Sequence, residues 1–260
     1  MKWLLNLMVA SLIFFPDKHY SALPRDYGLA AEDVFLTTAD GVRLHGWFFE
    51  SPECRGKACL APTLLFFHGN AGNISLRIFK AKEWLERGVS VFLLDYRSYG
   101  KSEGKIQKGA DLLEDARAAL VWLEGGKRIP AERVILYGES IGAYPAIQLA
   151  REKKFAGLVL EAAFTTLLDL ARANYGGWVP EFLLKEFQME NDEAIREVQA
   201  PVFFLHGERD TICPLEQGKR LYELAPSPKE LFVIPGGDHN DLPQVAGEEF
   251  YERPYRFLKV

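Results

Sequence analysis

The chain has 260 residues, 48% hydrophobic and 26% charged, a globular balance long enough to bury one large core. A formal net charge of -5, with no Lys/Arg cluster longer than a pair apart from "REKK" at a helix end, argues against a nucleic-acid partner. Three cysteines are too few for a disulfide framework. Cys54 and Cys59 are close enough to close a small loop, but two free thiols are the expectation, and neither metal-ligand spacing nor a C-x-x-C motif is present.

The first segment, "MKWLLNLMVASLIFFPDKHY", carries one lysine, then a mostly apolar run from Trp3 to Phe15, then Pro16. That run is short for a membrane span, which needs ~20 residues. It resembles the core of a signal peptide, without a clear small-x-small cleavage site. Three readings stand: an uncleaved anchor, a signal peptide, or an apolar helix packed on the fold. The pattern favours a membrane-associated or exported protein, with a cytoplasmic one as the alternative. Residues 1–28 are set apart on this basis from a domain spanning 29–260.

"DVFLTTADGVRLHGWFF" reads as a β-hairpin turning at Asp40-Gly41. "TLLFFHGN" is a continuous apolar run, as in a strand buried on both faces. "VSVFLLDYR", "RVILYGES", "GLVLEAAF", "PVFFLHGERD" and "ELFVIPGG" repeat this pattern, each ending in a Gly- or Asp-containing loop. Helical spacing lies between them, as in Leu112, Leu113, Ala116, Ala119, Leu120 and Leu123. The stretch from Gln244 to Val260 reads as a helix interrupted at Pro254. Alternating strands and helices imply a mostly parallel sheet covered on both faces, with ligands beyond the C-terminal strand ends.

Those ends carry His68-Gly69-Asn70-Ala71-Gly72-Asn73, then Gly138-Glu139-Ser140-Ile141-Gly142. Further on come His206-Gly207-Glu208-Arg209-Asp210 and Gly236-Gly237-Asp238-His239-Asn240-Asp241. Serine, aspartate and histidine follow in that order. With G-x-S-x-G between a strand and a helix, the chain resembles the α/β-hydrolase superfamily. "FFHGNAGN", "DYRSYGKSEG", "GESIGA", "HGERDTICP" and "GGDHND" together resemble its Bem46-like branch of serine hydrolases. The resemblance runs from the hairpin to the C-terminus. It implies a twisted, mostly parallel sheet of about eight strands with helices on both faces and a short lid near 165–199. It also implies cofactor-free hydrolysis of an ester or thioester.

A serine hydroxyl needs a neighbouring base to attack at neutral pH. Ser140 is the expected nucleophile, His239 the base and Asp210 the acid that orients it, with Glu161 as the alternative acid. His68 and His206 each precede a glycine and are expected to brace their loops. Asp238 and Asp241 are expected to hydrogen-bond within the last loop, and Asp95 to be structural. Cys213 is expected to be a small packed residue near the site. A helix starting near Ile141 aims its free N–H groups at the site. The Ile141 N–H and a second donor from Asn70 or Ala71 form the expected oxyanion hole. In the lid, Tyr175, Trp178 and Phe182 are candidate walls for an acyl chain. The expected partner is a small-molecule or lipid-like ester, near a membrane if the N-terminal run associates with one. Two other readings are a non-catalytic binding protein of this fold and a serine peptidase.

Overall fold

In the computed structural model, residues 2–54, 61–176 and 179–259 are described. Eight strands form one sheet: β2 (Glu32–Thr37), β3 (Arg43–Phe49), β4 (Thr63–Phe67), β6 (Ser90–Asp95), β7 (Val134–Glu139), β8 (Gly157–Glu161), β9 (Val202–Gly207) and β10 (Lys229–Ile234). Their spatial order is β10-β9-β8-β7-β4-β6-β3-β2. The pairs from β10 to β6 are parallel, and β3 and β2 add an antiparallel edge. Every residue of β4, β6, β8 and β9 is buried, which explains their unbroken apolar runs. The chain is an α/β hydrolase in fold.

Strand order decides where a ligand can sit. From β4 the chain moves to β6 on one side, then crosses back to β7 on the other. The direction of winding therefore reverses between β4 and β7, and a crevice opens at their C-terminal ends. Asn70 and Ser140 lie just past those two ends.

Helices cover both faces. On one side lie α3 (Ala110–Gly126) and α4 (Ala143–Glu152), whose Leu112, Ala116, Ile147 and Leu149 share a core with Leu65, Leu136 and Leu160. On the other lie α2 (Ile78–Glu86) and α10 (Glu249–Leu258), where Ile78, Trp84 and Phe250 meet Phe66, Tyr137 and Phe203. Between β8 and β9 the chain forms α5 (Leu167–Tyr175), α6 (Glu181–Leu184) and α7 (Asn191–Ala194), and α8 (Leu215–Leu224) follows β9. Thr166 caps α5 by accepting from the Asp169 N–H at 2.9 Å, and Gly176 ends it at φ +84°.

Two expectations are corrected. The C-terminal helix breaks before Glu249, not at Pro254: α9 (Leu242–Ala246) stops at Gly247, whose φ of +57° leaves the helical region. Pro254 sits inside an otherwise continuous α10. Cys54 is disulfide-bonded rather than a free thiol. Cys59 lies outside the described residues.

The N-terminal run forms α1 (Lys2–Ile13), followed by a short strand β1 (Phe15–Pro16). Val9, Ala10 and Phe14 are buried in the main core, and Phe14 packs on Phe187 with ring centroids 6.1 Å apart. β1 pairs in parallel with β5 (Ala71–Gly72), in the loop after β4. Among the described residues, no helix is long and apolar enough to cross a membrane.

Candidate active site

Ser140 follows β7 and starts the turn that leads into α4. Its φ is +53°, a left-handed conformation that costs a non-glycine residue about 1–3 kcal/mol. The turn closes because its flanking glycines have no side chain. A Cβ on Gly138 would stand 2.6 Å from Ala143 Cα, and one on Gly142 would overlap the Phe67 carbonyl oxygen. The serine is thereby lifted to the sheet edge, only 7% exposed.

Asp210 and His239 come from the loops after β9 and β10. His239 Nδ1 lies 2.8 Å and 3.0 Å from the two Asp210 carboxylate oxygens. Asp210 Oδ1 also accepts the Ile212 and Cys213 N–H groups at 3.0 Å and 2.7 Å, which fixes the carboxylate. The histidine loop is locked by its aspartates. Asp238 Oδ1 accepts the N–H groups of Thr211 and His239, and Asp241 Oδ1 accepts the N–H of Asp238. Burial works against charging His239, but the Asp210 carboxylate outweighs it and raises its pKa above the ordinary imidazole range.

Among the described residues, no direct hydrogen bond joins Ser140 to His239. The buried Cys213 side chain interacts with both. Burial pushes its thiol pKa up, so it stands there protonated rather than as a second nucleophile. Sequence reasoning placed Cys213 near the site but not between these two side chains.

The candidate anion site lies at the loop after β4. Neither the Asn70 N–H nor the Ile141 N–H donates to another protein group among the described residues, and both residues border one cavity with Ser140. Ala71 does not border it; its carbonyl accepts from Arg77 at 2.9 Å. Asn70, and not Ala71, thus shares the cavity with Ile141 and Ser140.

That cavity holds about 380 Å³ and is walled mostly by apolar side chains. Tyr175 lines it, as do Leu183 and Leu184 of α6. Phe182 does not: it is 71% exposed, because the short α6 turns its neighbour Leu183 to the cavity instead. Trp178 lies outside the described residues. The cavity's other wall is α1, through Val9, Leu12 and Ile13. The apolar run signalled some buried partner, but its place beside the site depends on tertiary packing.

The other candidates are tied into structure. Glu161 lies 2.6 Å from Lys80 Nζ and accepts from the Tyr137 hydroxyl at 2.7 Å, and among the described residues it makes no hydrogen bond to His239. Asp95 accepts the Tyr20 hydroxyl at 2.7 Å and the Ile74 N–H at 3.0 Å. His68 Nδ1 donates to the Gly69 carbonyl at 2.7 Å; burial, helped by Arg77, lowers its pKa to about 4 and keeps it neutral. His206 donates to the Cys213 carbonyl at 2.8 Å.

Beneath the serine turn lies an ion network that sequence reasoning missed. Arg77 Nη2 is 2.6 Å from Glu139 Oε1, and Lys80 bridges Glu139 and Glu161 at 2.9 Å and 2.6 Å. Burial would raise the Glu139 pKa, but the two cations outweigh it and hold the carboxyl well below the usual range. Glu139 Oε1 also accepts the Gly69 N–H at 3.3 Å, so one carboxylate ties the serine turn to the anion loop.

Comparison with known proteins bears on the fold and the family. Residues 62–191 match the family model described as the alpha/beta hydrolase fold. The chain belongs to the α/β-hydrolase family. It is 37% identical over 252 residues to Rv2307c of Mycobacterium tuberculosis, covering 95% of this chain and 86% of that one. It is 36% identical to the alpha/beta hydrolase domain-containing protein WAV2 of Arabidopsis thaliana, over 93% of this chain and 83% of the relative. It is 34% identical to bem46 of Schizosaccharomyces pombe, over 90% and 79%. The Pyrococcus furiosus esterase Pf2001 superposes with a TM-score of 0.76 at 25% identity, covering 95% of this chain and 97% of that one. Fold, family and this neighbour support a hydrolase.

Proposed function

We propose that this hydrolase is a serine esterase or thioesterase acting on an apolar acyl substrate. The observation that carries the reading is a buried serine held at φ +53° that borders one cavity with two undonated N–H groups, and that shares the contact of Cys213 with a carboxylate-bound histidine. His239 takes the Ser140 proton as the oxygen attacks the acyl carbonyl. Asp210 keeps the imidazole N–H pointed away from the serine and stabilises the imidazolium. The carbonyl oxygen becomes an oxyanion, stabilised by the Asn70 and Ile141 N–H groups. Each such donor contributes about 2.7–4 kcal/mol to the barrier reduction. His239 then protonates the leaving alcohol or thiol, and an acyl-Ser140 ester remains. Water, deprotonated by His239, releases the acid by the same steps.

The wall composition favours an acyl chain. Leu12, Phe15, Tyr175 and Ile212 line the cavity and are also exposed, so its mouth is itself apolar. Such a mouth suits a substrate presented from a lipid surface, with α1 lying against that surface rather than crossing it. The Pf2001 esterase, as a close fold neighbour, supports ester chemistry here. A panel of p-nitrophenyl esters of graded acyl length tests the reading. Turnover that rises with chain length and disappears in Ser140→Ala supports it; no turnover of any ester by folded protein overturns it.

A further inference from the structure

The N-terminal run has the look of a leader, yet its contacts converge on the candidate active site. α1 presents Val9, Leu12 and Ile13 to the cavity, opposite Leu167, Leu170 and Leu183. One side of the cavity is thus built by the segment before residue 14 and the other by the segment after β8. The same strand reaches the anion loop. The Phe15 N–H donates to the Asn70 carbonyl at 2.9 Å, and the Asn70 side-chain amide donates to the Ile13 carbonyl at 3.1 Å. Two residues on, the Asp17 N–H donates to the Gly72 carbonyl at 2.9 Å. The Tyr99 hydroxyl adds a bond to the Asn70 carbonyl at 2.7 Å. Asn70 is therefore gripped at its carbonyl and its side chain, while its N–H stays undonated.

Resting on the hydrolase reading above, we propose that residues 9–16 are a working part of the active site. α1 forms a wall that sets which acyl chains fit, and β1 positions Asn70 so that its N–H meets the oxyanion. An oxyanion donor acts only when its backbone is held before the reaction, because reorienting it during the reaction cancels the gain. The loop after β4 contains glycines at 69 and 72 and, among the described residues, has no sheet neighbour apart from β1. β1 supplies the missing rigidity. Ile13 and Phe15 are thus positioning residues, and Val9 and Leu12 are specificity residues.

Two variants at Phe15 separate backbone from side chain. Phe15→Pro removes the N–H that holds the Asn70 carbonyl, whereas Phe15→Ala keeps it. On a short-chain p-nitrophenyl ester, Phe15→Pro should lower kcat about tenfold or more relative to Phe15→Ala, with KM within about twofold, as expected for a transition-state contact. Equal kcat in the two, with both folded by near-UV circular dichroism, overturns the positioning role. If Phe15→Pro does not fold, Asn70→Ala removes the bond to Ile13 alone; a fall in kcat at constant KM supports the proposal, and an unchanged kcat overturns it. For the wall, Val9→Phe, or Leu12→Trp if the first does not fold, should cut kcat/KM on long-chain esters while sparing the acetyl ester. An unchanged chain-length profile overturns it. Labelling of wild-type Ser140 by a fluorophosphonate is measured alongside. Absent labelling counts against the hydrolase reading, whereas labelled protein with unaltered profiles counts against this proposal.

Discussion

Glu139 and Glu161 lie in register on the neighbouring strands β7 and β8, and Lys80 Nζ sits between them at 2.9 Å and 2.6 Å. Two like charges directly opposed on a sheet repel one another. Here a buried cation from α2 turns that repulsion into attachment and secures the strand that ends in Ser140. Lys80→Met should therefore cost about 3–5 kcal/mol, because it leaves buried carboxylates short of their counter-ion. Urea unfolding measures it. A loss under about 1 kcal/mol would mean that the network is relaxed or solvated.

The acid can be identified by substitution. Asp210→Asn should lower kcat by about 10⁴, since an amide stabilises the wrong imidazole tautomer. Glu161→Gln should act mainly on stability, through Lys80 and Tyr137. The reverse pattern would transfer the role to Glu161.

Activity should depend on pH through His239. Only neutral imidazole can accept the serine proton, so kcat/KM should rise with pH and level off above the histidine pKa. Burial opposes the upward shift and Asp210 produces it, so the midpoint should lie above the ordinary value of about 6.5. A wild-type midpoint at or below that ordinary value would contradict this electrostatic account.

The serine turn has no room for a methyl group at Gly142, where the new carbon would meet the Phe67 carbonyl. Gly142→Ala should destabilise the fold by about 3 kcal/mol or more, since backbone rather than a flexible side chain must move. Thermal melting measures this; a Tm close to that of the wild type would show that β4 and the turn can separate.

Much of this arrangement was legible in the sequence because a parallel sheet delivers its chemistry at strand ends. Unbroken apolar runs marked buried strands, with Ser140 and Asp210 in the loops after two of them, whereas His239 follows β10, an edge strand that is only half-buried. What stayed hidden depends on register and packing. The Glu139–Lys80–Glu161 bridge needs β7 aligned with β8 and α2 laid across both, which no local pattern encodes. The composition of Val9, Leu12 and Ile13 fits lipid or protein equally well, so only the fold tells which surface they meet. Phe182 and Leu183 are adjacent and both apolar, and the phase of a one-turn helix decided which faced the cavity. Pro254 misled because a helix tolerates proline when packing on both sides holds it, as Tyr251 and Leu258 do here.

The central claim is that Ser140 is an activated nucleophile. Incubation of the purified chain with a fluorophosphonate, followed by intact-mass and peptide analysis, tests it most directly. The account predicts a single adduct on Ser140, lost in Ser140→Ala and strongly slowed in Asp210→Asn. Folded wild-type protein that takes up no probe, or carries it on Cys213, would contradict it.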